Sequence, residues 1–134
     1  MGITRMCYYP SIDPVLSGIT KLNDVIDKLM KVLESRKNAS HDSSYVAKLH
    51  SRGLSKILEK VGEESFETVI AAKDAGFEST PETRTEVIKE TADLWFHTLV
   101  MLSHLDISAA ELLAELESRL GTSGLVEKAS RQQE

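Results

Sequence analysis

The stretch "ADLWFHTLVMLSHL", residues 92–105, constrains the fold more than any other part of the chain. Wound as a helix it is apolar nearly all the way round, and a helix without a polar face must be covered on most sides. It is too short for the ~18 apolar residues of a membrane span, and it carries Asp93, His97 and His104. The cover must therefore come from other helices of the chain or from a second subunit. "STPE", residues 79–82, marks the start of this helix: a Ser/Thr cap, Pro81 in the first turn and Glu82 near the positive end of the dipole. From there the predicted helix runs to about His104.

The rest of the periodicity is also helical. Leu22, Val25, Ile26, Leu29 and Leu33 follow the i, i+3, i+4, i+7 rule and predict a first helix from Thr20 to about Ser35. "RKNASHDSS" is a polar loop, in which Ser43 or Ser44 can cap a short helix over Tyr45 to Ser51, stopped by Gly53. The next helix is expected from Leu54 to Ala75, ending at Gly76, with Leu54, Ile57, Leu58, Val61, Ser65, Val69 and Ala72 as its apolar stripe. Glu64 falls on the edge of that stripe, Glu67 about 60° further round, and Glu63 on the far side. In "ISAAELLAELESRLG" a capping box (Ser108, Glu111), a hydrophobic staple (Ile107, Leu112) and a stop at Gly121 outline the last helix.

Residues 1–18, with Pro10, Pro14, Gly18 and no periodicity, read as an irregular arm, and residues 122–134 as a polar tail. Residues 19–121 then form one all-α domain, a bundle of about five helices. Its apolar fourth helix predicts a homodimer that buries part of the Trp95–Leu102 surface. Sixteen basic residues against twenty-one acidic ones give a net charge of −5. That balance argues against nucleic acid or an anionic membrane as the main partner, because both favour a basic surface. Cys7 is the only cysteine, so no internal disulfide can form. With no apolar signal-peptide core at the start, a cytoplasmic location is expected.

The chemistry is concentrated in two acid pairs, Glu64-x-x-Glu67 and Glu90-x-x-Asp93. A spacing of three puts two carboxylates on adjacent turns of one face, where like charges repel by about 0.2–0.5 kcal/mol per pair. If the two long helices pack antiparallel, four carboxylates converge, the oxygen donor set that hard cations such as Mg²⁺ take together with phosphate and water. The plainer alternative is two solvated acidic faces. Neither pair has the Glu-x-x-His spacing of di-iron bundles, since His97 follows Asp93 by four residues. His97 reads better as a core histidine with satisfied ring nitrogens than as a ligand. Trp95 and Phe96 read as core or interface rather than base-stacking groups. Lys48, Arg52, Lys56 and Lys60 recur every four residues and form either a solvated basic face or a set of phosphate contacts.

The segments "SYVAKL" (44–49), "GLSKILEKVGEESFE" (53–67), "AAK" (71–73), "ETADLWFHTLVML" (90–102) and "ELESR" (115–119) occur in one order and separation. Together they resemble the phosphoribosyl-ATP pyrophosphohydrolases of histidine biosynthesis, members of the MazG-like all-α NTP pyrophosphohydrolase superfamily, over about residues 21–120. Ser65-Phe66 and Trp95-Phe96 depart from the family pattern and bear on packing, leaving the acids intact. The resemblance implies Mg²⁺-dependent hydrolysis of phosphoribosyl-ATP to phosphoribosyl-AMP and pyrophosphate. It assigns Glu64, Glu67, Glu90 and Asp93 to the metal, and it matches Glu63 and Lys60 to the acid and lysine of the "K-x-GEE" motif. With one metal ion Glu63 or Glu67 is the candidate base; with two, a bound hydroxide needs none. The competing readings are a house-cleaning (d)NTP pyrophosphatase of the same superfamily and a non-catalytic helical assembly module.

Overall fold

The computed structural model of the protein describes residues 12–120, with side chains from residue 24 onward. Five helices and no strand occupy this span: α1 Ile12–Lys37, α2 Tyr45–Arg52, α3 Leu54–Phe77, α4 Pro81–His104 and α5 Ala109–Arg119. The expected all-α bundle is therefore the fold, and no described helix is long and apolar enough to cross a membrane.

Most of the boundaries follow from local chemistry. Ser44 caps α2 by accepting from the Ala47 backbone N–H, and Gly53, at φ 84°, turns the chain directly into α3. That left-handed φ suits glycine, which has no Cβ to clash. Thr80 caps α4 in a capping box with Thr83, Pro81 takes the first helical position, and the Ser108–Glu111 box opens α5.

Two boundaries differ from expectation. The helix α1 begins at Ile12, so residues 12–18 are helical rather than part of an irregular arm. Pro14 is third in that helix, where a backbone N–H would have no intrahelical acceptor, so its missing donor costs nothing there. Gly18 lies in the helix interior at a penalty of only about 1 kcal/mol. Likewise α3 runs through Gly76 to Phe77, and Glu78 closes it by donating its N–H to the Asp74 carbonyl. The rest of the expected arm (residues 1–11) and the expected tail (122–134) lie outside the described residues.

The main helix pairing is α3 against α4, joined by the short link Glu78–Thr80, so the two run antiparallel. Helices α1, α2 and α5 close the core around them. Ile26 and Leu33 (α1), Val46 and Leu49 (α2), Ile57 (α3), Leu99, Val100 and Leu102 (α4) and Ala109 (α5) form one cluster, with Leu33, Ile57 and Val100 fully buried. The second half of α4 is central, as its sequence requires. Its cover is incomplete, however, because Trp95 remains 53% exposed. Along α3 the buried residues are Ile57, Glu64 and Ala71, spaced by seven. Glu64 thus lies in the middle of the buried line instead of at its edge, and Val69 and Ala72 of the expected stripe face outward.

Candidate active site

The α3–α4 seam brings one acid from α3 against two from α4. Carboxylate oxygens of Glu64, Glu90 and Asp93 all lie within 4.8 Å of one another. Glu64 is 6% exposed, Glu90 half-buried and Asp93 exposed, so the cluster has a buried floor and an open side. Burial first, and then the negative charges of Glu67, Glu86, Asp93 and Glu64, push the Glu90 carboxyl above the usual carboxylate range. Glu67 itself is exposed and falls outside the three-carboxylate group. Three residues beyond Glu64, it is rotated about 60° away from the seam and acts on the group through its charge alone.

The fit to a hard cation is favourable. An octahedral Mg²⁺ with oxygens at about 2.1 Å sets neighbouring ligands about 3 Å apart and opposite ones about 4.2 Å apart. The three carboxylate oxygens, within 4.8 Å of one another, supply the donor type that such an ion takes. Three acids leave the remaining positions open to water and phosphate.

Two further side chains border Glu64. Lys60, one turn earlier on α3, places its Nζ 3.1 Å from Glu64 Oε1 and 2.5 Å from Glu63 Oε2. Its hydrogen bonds to Glu63 and then Glu64 raise its pKa above the ordinary lysine range, and the Glu63 carboxyl is correspondingly lowered by Lys60. On the other side lies His97, 5% exposed, with Nδ1 3.6 Å from Glu64 Oε1. Its Nδ1 is 2.9 Å from the Asp93 carbonyl, which can only accept, so Nδ1 carries the proton. Nε2 is then free to accept from the Tyr45 hydroxyl at 2.9 Å. Both ring nitrogens are satisfied, as expected of a core histidine, and the ring ties α2 to the floor of the site.

The basic series does not converge as a whole. Lys56 pairs with Glu59 at 2.7 Å, and Lys60 pairs with the acids just described. Lys48 and Arg52 are exposed on α2 and have no acidic partner among the described residues. The Tyr45–His97 bond and the hold of Lys60 on Glu64 are the two features that sequence reasoning missed. The second was signalled by the i, i+4 spacing of opposite charges, but Tyr45 and His97 are 52 residues apart and only the fold joins them.

An all-α bundle with a partly buried carboxylate trio at its main seam offers the oxygen donors that a helical enzyme acting on phosphoanhydrides through a hard cation would use. A comparison with protein-family models narrows this. The model of phosphoribosyl-ATP pyrophosphohydrolase matches residues 26–120, and the chain belongs to that family. It is a hydrolase, a phosphoribosyl-ATP diphosphatase, and the family's reaction lies in histidine biosynthesis.

Proposed function

We propose that the protein hydrolyses phosphoribosyl-ATP to phosphoribosyl-AMP and pyrophosphate in the cytoplasm with Mg²⁺, held by Glu64, Glu90 and Asp93 and approached by Glu67. The observation that carries this reading is the convergence of three carboxylates from two helices within 4.8 Å, one of them buried. Clustering like charge costs stability unless a cation is bound there. When bound, Mg²⁺ supplies charge neutralisation for the leaving pyrophosphate and lowers the pKa of the attacking water.

The chain's own residues do the rest. Glu67, exposed and with no ion-pair partner among the described residues, is better placed than Glu63 to take the water proton, since Glu63 is engaged by Lys60. His97, fixed by Tyr45 and the Asp93 carbonyl, sets its ring 3.6 Å from Glu64 Oε1 and forms the wall of the site beside that carboxylate. Lys48 and Arg52 on α2, and Lys56 and Lys60 on α3, offer positive charge to the phosphates.

The assembly we propose is a homodimer. An apolar groove of about 410 Å³ between Ile26, Val61, Leu94, Trp95, Leu112 and Leu116 leaves Trp95 and Leu116 about half exposed. A second copy of α4 and α5 would cover it.

Substrate choice is tested by pyrophosphate release from phosphoribosyl-ATP beside a panel of canonical and damaged dNTPs. Turnover of phosphoribosyl-ATP far above every dNTP is expected. A preference for a dNTP would move the protein to the house-cleaning class.

A further inference from the structure

We infer that Lys60 is the resident counter-ion of Glu64, which it must release before a cation can be held, and that the freed ammonium then serves the substrate's phosphates. The inference rests on the reading that Glu64, Glu90 and Asp93 bind a divalent cation, and it assigns Lys60 and Glu63 roles within that site.

The geometry is specific. Lys60 Nζ lies 3.1 Å from Glu64 Oε1, the buried carboxylate of the trio. A cation about 2.1 Å from that same oxygen would be no more than about 5.2 Å from the ammonium. Two positive groups that close, at a seam screened only in part by water, compete for the oxygen rather than share it.

Lys60 has somewhere to go. Its Nζ already holds the exposed Glu63 Oε2 at 2.5 Å, so it can leave Glu64 and remain paired by turning about Glu63. Side-chain exposures of 22% for Lys60 and 52% for Glu63, against 8% for Glu64, set the direction of that turn towards solvent. Solvent is also the side from which a polyphosphate would arrive. The adjacent acids of "GEE" then divide the work: Glu64 belongs to the cation and Glu63 keeps Lys60.

The consequence is a metal affinity held down by an internal competitor and a phosphate contact that becomes available when metal binds. Calorimetric titration of Mn²⁺ into the substrate-free protein measures the first. Lys60→Met keeps the length of the side chain and removes its charge, and Lys60→Gln repeats the measurement with a polar replacement. Lys56→Met removes an equal charge one turn away from an ion pair with Glu59. Both Lys60 variants should bind Mn²⁺ about three- to tenfold more tightly than wild type, the size expected for loss of one partly buried ion pair, and Lys56→Met should stay within about twofold. With Mn²⁺ present, pyrophosphate should bind the Lys60 variants more weakly than wild type. Unchanged or weaker Mn²⁺ binding in the Lys60 variants would overturn the inference while leaving the metal site standing. Equal tightening in Lys56→Met would overturn it in favour of net charge. A wild-type protein that binds no Mn²⁺ would remove the metal reading itself, and this inference with it.

Discussion

Replacing Tyr45 by Phe removes one hydroxyl and tests whether the site floor is tied to α2 as described. The ring of Tyr45 meets His97 edge-on, with centroids 5.9 Å apart, and Phe keeps that contact. What is lost is the 2.9 Å bond to His97 Nε2, a nitrogen on a ring whose side chain is only 7% exposed. A neutral hydrogen bond contributes about 0.5–1.5 kcal/mol, and a buried acceptor left unpaired costs about 1–3 kcal/mol. Tyr45 is half exposed, so water can enter where the hydroxyl was, which favours the low end of that range. A loss of about 1 kcal/mol, or roughly 3–6 °C in Tm for a domain of this size, is expected in EDTA. The assay is a thermal melt of wild type, Tyr45→Phe, His97→Gln and the double variant. Tyr45→Phe should have almost no further effect once His97 is gone, giving a coupling of about 1 kcal/mol. A single variant melting within about 1 °C of wild type, or full additivity in the double, would show that the bond does not hold the site floor.

Glu64→Gln and Asp93→Asn should each lower phosphoribosyl-ATP turnover by roughly a hundredfold or more while the far-ultraviolet dichroism stays helical, because each removes a charged oxygen from the trio. Glu90→Gln should melt at or above wild type in EDTA and lose that advantage when Mg²⁺ is added, since the change relieves repulsion and also removes a ligand. Gly53→Ala should cost about 1–2 kcal/mol in a denaturant melt from its φ of 84° alone, as no heavy atom lies within 4 Å of the added Cβ. His50, stacked on His104, is held below its ordinary pKa of 6.5 by burial and then by the charges of His104 and Lys37, opposed by Glu34. The folded protein then binds fewer protons here than the unfolded chain. Its stability should be full above pH 6.5 and fall as pH drops through the window below, a slope that His50→Gln should flatten in pH-dependent melts.

Most of the architecture is readable from local patterns because helices announce themselves locally. Ser44, Thr80 and Ser108 are caps by residue type, Gly53 is a stop, and the all-apolar turn of α4 has to be central. The start of α1 was hidden because Pro14 and Gly18 look like breakers, although one sits where an N–H is unused and the other costs little. In the site, the i, i+3 acid spacing located Glu64, Glu90 and Asp93. It did not separate Glu64 from Glu67 as ligands, because a spacing of three gives both acids of a pair the same standing. Periodicity alone put the centre of the stripe near Val61 and Ser65, whereas packing on α4 puts it on the line Ile57–Glu64–Ala71. Charge spacing likewise suggested four equivalent basic residues. Contacts divide them into two held by acids and two exposed on α2.

Cation-dependent hydrolysis at the carboxylate trio is tested most directly by product analysis after a fixed incubation with phosphoribosyl-ATP. Wild type with millimolar Mg²⁺ should form phosphoribosyl-AMP and pyrophosphate in equal amounts. Wild type in EDTA should form neither above the uncatalysed background, and Asp93→Asn in Mg²⁺ should form no more than about a hundredth of the wild-type amount. Undiminished turnover in EDTA, or in Asp93→Asn, would contradict the account.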